Sequence, residues 1–214
     1  MTLTLALMIG AYGITVAALA LLAIRVRQLI GIYKKGAADP TRSGNRAART
    51  KNMLKEVLGH TKMLNFTGTG IAHWFVMIGF GALFGTLVTA YGQLISPSFA
   101  LPLIGHFIPY EFMSELIGWA TGIGIVTLIG IRQVTRLKPE RANRFSGSGM
   151  GKAYYVEATI VIIVFAVIAL RGLEGALAGE ESWNWHYALS WPAVVFFSNW
   201  STSAIETTIV IVAA

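Results

Sequence analysis

The chain has no cysteine, which removes disulfides, thiolate metal sites and cysteine-ligated iron–sulfur clusters from this stretch. Any redox centre here must use other ligands. Charge is scarce as well: 13% of the 214 residues are charged against 55% hydrophobic, and the mean hydropathy is +0.62. A soluble domain cannot cover its own surface with so little charge, so lipid is the expected solvent for most of the chain. The third scarcity is local. From Met63 to Ile131 there is no Lys or Arg at all.

The seventeen Lys and Arg residues that are present fall in two clusters, ten between Arg25 and Lys62 and six between Arg132 and Lys152, with Arg171 alone beyond them. The gap between the clusters holds two apolar runs and a turn. Both clusters therefore emerge on one face of the bilayer, which the positive-inside rule makes the cytoplasm, and the N-terminus is expected outside. The basic loops then meet anionic headgroups, and the net charge of +7 needs no nucleic acid. The first apolar segment is too long for a signal-peptide core and reads as an uncleaved anchor.

These patterns predict an all-α integral membrane bundle, a single membrane domain over 1–214, with about five transmembrane helices at 3–29, 64–95, 111–131, 154–173 and 192–214. Residues 46–62 of the first basic loop read as an interfacial helix. The second predicted span is roughly 48 Å long against a hydrocarbon core of roughly 30 Å, so it must tilt or protrude. The turn after it carries Pro97, Pro102 and Pro109, and the second basic loop contains a glycine-rich stretch at 145–151. Trp183, Trp185, Tyr187 and Trp191 suit the headgroup level. The fifth span reaches Ala214 without a basic anchor, which reads as the N-terminal part of a longer chain. Gly81 with Gly85, and Gly118 with Gly122, put pairs of small residues on single helix faces, where a helix or a flat cofactor can approach closely.

Ionisable groups in lipid are costly, and each needs a reason. His73 lies about 10 Å inside the second predicted span, where a neutral imidazole either hydrogen-bonds a neighbouring helix or ligates a haem iron. His60, thirteen residues earlier, is rotated by about 220° on a straight helix and reads as an interfacial residue beside Lys62 or a second haem candidate. Helices three to five offer no facing histidine, so a complete two-haem site is not encoded here. Glu157 and Glu206 come near the depth of His73. Either the three line one polar pocket in which a carboxylate passes protons to a reducible ligand, or each glutamate caps a helix or pairs with a basic loop residue. Arg171 and Glu174 read as a local ion pair at the outer boundary. His106 and His186 lie outside, too exposed for a buried haem.

Several segments carry a resemblance. Val57-Leu-Gly-His60-Thr-Lys-Met-Leu64, Gly70-Ile-Ala-His73-Trp-Phe-Val-Met-Ile-Gly-Phe80 and Gly85-Thr-Leu-Val-Thr-Ala-Tyr-Gly-Gln93 resemble the membrane domain of EtfD-type proteins. So do Leu101-Pro-Leu-Ile-Gly-His106-Phe-Ile-Pro-Tyr-Glu111 and Tyr155-Val-Glu157-Ala-Thr-Ile160. These are electron-transfer-flavoprotein:menaquinone oxidoreductases of the heterodisulfide-reductase-like class, whose N-terminal domain is similar to the cytochrome b subunit of respiratory nitrate reductase. The resemblance implies a bacterial plasma membrane location. It also implies a path from the flavoprotein of fatty-acid β-oxidation, through iron–sulfur clusters in a downstream domain or partner subunit and haem b, to menaquinone. His73 falls on the family's haem-ligand helix. The cysteine-rich iron–sulfur domains and a later-helix histidine are absent from this sequence, so this region is expected to lack the full activity by itself.

Two other function classes fit the composition. A small-molecule or ion transporter would use the intramembrane carboxylates and glycines, although no inverted repeat or paired broken helices are evident in the sequence. A haem-free membrane anchor would leave His73 with a packing role only.

Overall fold

The computed structural model describes residues 2–136 and 150–214 apart from Ala38, Pro40, Arg42 and Ser43. Most of the glycine-rich stretch at 145–151 therefore lies outside the described residues. Everything described is helix or connection, without strands, as expected of an all-α membrane protein. The chain divides into two compact units, Met1–Thr61 and Lys62–Ala213.

The first unit holds α1 (Thr2–Tyr33) and α2 (Arg46–Leu58). Helix α1 is apolar on every side, and its hydrophobic window has no buried residue. A helix of that kind is stable only where lipid replaces the missing protein neighbours. Helix α2 differs in kind, with basic and apolar residues segregated on it and none buried. Asn45 starts it by accepting a hydrogen bond from the Ala48 amide, 3.2 Å away. His60 follows its end in a left-handed conformation, φ 49°, with Nδ1 2.7 Å from the Val57 carbonyl.

The second unit contains α3 (Thr67–Ala82), α4 (Phe84–Gln93), α5 (Ile108–Arg136), α6 (Met150–Leu177), α7 (Trp191–Phe197) and α8 (Thr202–Ala213). Among the described residues three helices, α1, α5 and α6, are long and apolar enough to cross a membrane, and the α3–α4 pair makes a fourth if counted as one broken span.

Two helices expected to be continuous are interrupted. The 64–95 span breaks at Leu83 with a bend of 43° between α3 and α4. No proline is involved. Gly79, Gly81 and Gly85 weaken the helix there, and the Thr86 hydroxyl donates to the Leu83 carbonyl at 2.6 Å, competing with the helical ladder. The 192–214 span is likewise cut between α7 and α8, where Ser198 donates its hydroxyl back to the Val195 carbonyl at 2.9 Å. Trp200 stacks edge-on against Phe197 at 4.9 Å and fills the break.

Helices α3 and α5 pack tightly because Gly79 presents no side chain to Thr121. A Cβ at Gly79 would fall 1.8 Å from the Thr121 hydroxyl oxygen. Gly172 of α6 similarly lies against Ala193 of α7, where an added Cβ would come within 2.5 Å of the alanine methyl. The paired glycines expected to make such contacts do so by halves: Gly85 faces Tyr110 and Gly122 faces Val164, whereas Gly81 and Gly118 face open space. A small apolar cluster of Leu170, Leu173, Ile205 and Ile209 ties α6 to α8.

Candidate functional site

Helices α3, α5 and α6, with Met63 and Phe66 ahead of α3, line a partly open cavity of about 580 Å³ at the end of the bundle where α3 and α6 begin and α5 finishes. Its walls are mostly apolar, with Val76, Ile125, Leu128 and Ile160 prominent. Into this space three helices each bring an ionisable side chain, His73 from α3, Arg132 from α5 and Glu157 from α6, and the hydroxyl residues Thr69 and Thr135 also line it. His73 is half-buried and Glu157 is 6% exposed. The Arg132 Nε lies 2.6 Å from Glu157 Oε1, an ion pair without the alignment of a good hydrogen bond. The second oxygen, Oε2, is buried and has no hydrogen-bond partner. A carboxylate held on one side by a guanidinium and open on the other has a free acceptor for a ligand's hydrogen bond or for a proton.

The arrangement brings His73 and Glu157 together, as the sequence suggested, but leaves out Glu206. That residue is exposed on α8 and does not line the cavity, because the break after Phe197 restarts the helix at Thr202 and turns the carboxylate outward. His60 belongs to the first unit and pairs with its own helix end. The sequence marks Arg132 only as the start of the second basic cluster, and its ion pair with Glu157 matches the alternative expectation, a glutamate paired with a residue of a basic cluster. Its place in the second basic cluster hid it, since a cation at the edge of a basic loop looks solvated until a buried carboxylate is found beside it.

A second polar cluster lies at the opposite end of the α5–α6 pair, about 21 Å along α6 from Glu157. Arg171 is its centre. The guanidinium NH1 lies 2.6 Å from Glu174, Nε lies 3.3 Å from Glu115 and NH2 lies 3.4 Å from Glu111. Arg171 also donates to the His186 carbonyl and sits 4.7 Å from the centre of the Tyr187 ring. Glu115 further accepts from the amides of Leu189 and Ser190 at 2.8 and 3.1 Å, groups that precede α7. The expected local Arg171–Glu174 pair is thus one edge of a network joining α4, α5, α6 and the 185–190 turn.

His186, expected to be exposed, is drawn against Glu111 with Nδ1 2.5 Å from the carboxylate, whereas His106 keeps an exposed side chain. Glu111 and Glu115 stand one helical turn apart, a spacing readable in the sequence, but no local rule connects them to Arg171, which follows Glu115 by fifty-six residues. Burial pushes the Tyr187 hydroxyl up to about 12, with Arg171 opposing and Glu174 and Glu111 reinforcing the shift.

Among the described residues no group of three or more His, Cys, Asp or Glu side chains is arranged to hold a metal ion. No family model, curated protein or solved structure matches the chain.

Proposed function

We propose that this chain is the membrane part of a respiratory oxidoreductase that passes electrons from an iron–sulfur partner to menaquinone, and that the His73–Arg132–Glu157 cavity receives the quinone head group. The observation that supports this reading is the convergence of three ionisable side chains, from three helices, in one mostly apolar space. A quinone ring needs apolar walls, and its carbonyl oxygens need donors. His73 and Arg132 supply N–H groups. Reduction to the quinol adds two electrons and two protons. The electrons come from the partner, and Glu157, through its open Oε2, is the group that exchanges protons with the ligand.

Haem b, which the family resemblance implies, would be held through the His73 imidazole and would supply one-electron transfer, and no second histidine lines the cavity. The residues present would therefore supply one of the two nitrogen ligands that a bis-histidine haem takes. The iron–sulfur partner, the flavoprotein donor and the cytoplasmic placement of the basic loops belong to the same proposal.

Replacing Glu157 and Glu206 separately with Gln in the full-length enzyme tests the reading by quinone-linked turnover. Glu157→Gln is expected to lower the rate by about 10²-fold, within the usual range for a lost general acid or base, and Glu206→Gln to leave it unchanged. Equal rates in both variants would remove Glu157 from the chemistry. The breaks in α3–α4 and α7–α8 favour a second reading, a transporter, which redox-independent flux in sealed vesicles would support.

A further inference from the structure

The cluster around Arg171 borders a second cavity, about 290 Å³, between α4, α5, α6 and the 97–106 connection. It is separate from the His73 cavity and has no part in the proposed quinone chemistry. Three carboxylates, those of Glu111, Glu115 and Glu174, surround a single guanidinium. The other cationic groups near them are His186 and the exposed His106, both of which approach Glu111. With those imidazoles neutral the cluster carries two more negative charges than positive ones, and each imidazolium would remove one.

An acidic excess does not by itself make a site, but Gln93 adds an independent observation. This residue is fully buried and lines the cavity. Its Nε2 donates to Glu174 Oε1 at 2.5 Å, which fixes the orientation of the amide, since a carboxylate oxygen can only be faced by the amino end. The carbonyl end, Oε1, is then a committed acceptor, buried and without a hydrogen-bond partner. The Tyr110 hydroxyl on the same cavity is also buried and unpartnered. Buried polar atoms are rarely left unsatisfied, and the residues that carry these two line a space large enough for a guest.

We propose that the cavity at the Arg171 end binds a small organic cation, a primary ammonium carried on a compact apolar body. An ammonium has three N–H donors and no acceptor, which matches Gln93 Oε1, the Glu174 carboxylate and the Tyr110 oxygen. Its positive charge offsets the carboxylate excess, and Val167, Leu170, Leu177 and Phe99 provide apolar surface for the carbon chain. Arg171 remains in place as the cation that keeps the three carboxylates together.

The test uses the full-length protein in detergent with n-butylammonium as the probe and n-butanol, its neutral counterpart of similar size, as the control for partitioning. Binding is read from the thermal unfolding midpoint and from intrinsic tryptophan fluorescence. Saturable stabilisation by butylammonium without a matching effect of butanol is expected. Glu174→Gln should weaken it by about tenfold, the worth of one charge-assisted hydrogen bond, and Gln93→Glu should strengthen it by a similar factor. Equal effects of amine and alcohol, no binding of either, or an affinity indifferent to both substitutions would overturn the assignment. None of these outcomes touches the quinone reading, which stands or falls on variants at the other end of α6.

Discussion

At the scale of single residues, Arg171 bears the most. It is the one guanidinium among three buried or nearly buried carboxylates, so its loss leaves like charges facing one another in a poorly solvated space. Arg171→Leu is expected to destabilise the fold by about 3–5 kcal/mol, the usual cost of breaking a buried ion pair from one side. Arg171→Lys should recover little of it, because an ammonium cannot reach three carboxylates in three directions as the fork does. Thermal unfolding in detergent measures both, and full stability of the leucine variant would contradict the arrangement. Tyr187 makes a separate prediction. Its hydroxyl is raised from 10.0 to about 12 chiefly by burial, so the neutral form is favoured in the fold. The corresponding stability is complete below pH 10 and is lost as the pH climbs through about 12. Ultraviolet titration should show late-ionising tyrosine absorbance, and Tyr187→Phe should reduce it by one tyrosine's share.

His73 discriminates between two occupants of the larger cavity. If the imidazole serves a quinone, His73→Ala weakens binding of a naphthoquinone analogue and leaves any b-type signal in the reduced-minus-oxidised spectrum intact. A signal abolished by the substitution would make His73 a haem ligand instead.

Helices α3 and α5 owe their closeness to Gly79, and this contact belongs to the scale of elements. Gly79→Ala forces a methyl into Thr121 and should cost about 1–3 kcal/mol, with part of the loss recovered by combining it with Thr121→Ala. A tolerated Gly79→Ala would mean that the two helices are farther apart. The existence and position of the long helices could be read from hydropathy alone: α1, α5 and α6 occur where apolar runs predicted them, a few residues longer at either end. The breaks could not, because apolar content continues across Leu83 and across Ser198–Ser201. What interrupts those helices is glycine weakness and hydroxyl groups bonding back to the ladder, features common in unbroken membrane helices too. Sequence placed His73 and Glu157 at one depth by counting residues, which is sound for straight helices. The same counting failed for Glu206 because the helix beneath it restarts.

Across the whole molecule, the second unit presents two polar clusters at opposite ends of α5 and α6, joined by apolar helix. The separation has a physical basis. Ionisable side chains near a hydrocarbon boundary can keep partners, connections and water within reach, whereas groups in the middle of the bilayer cannot. Hydropathy showed that such residues were rare, and that rarity made them candidates. It could not show that Arg132 and Arg171 each close a network around glutamates from another helix, since those pairings depend on tertiary packing.

The assignment of the quinone to the His73 end is tested most directly by photolabelling the full-length protein in membranes with an azido-naphthoquinone and mapping the labelled peptides. The account predicts labelling in α3 around His73, with further label on the facing turns of α5 and α6 near Arg132 and Glu157, all of it displaced by excess menaquinone. Displaceable label confined to the Arg171 end, or spread over the lipid-facing residues of α1, would contradict it.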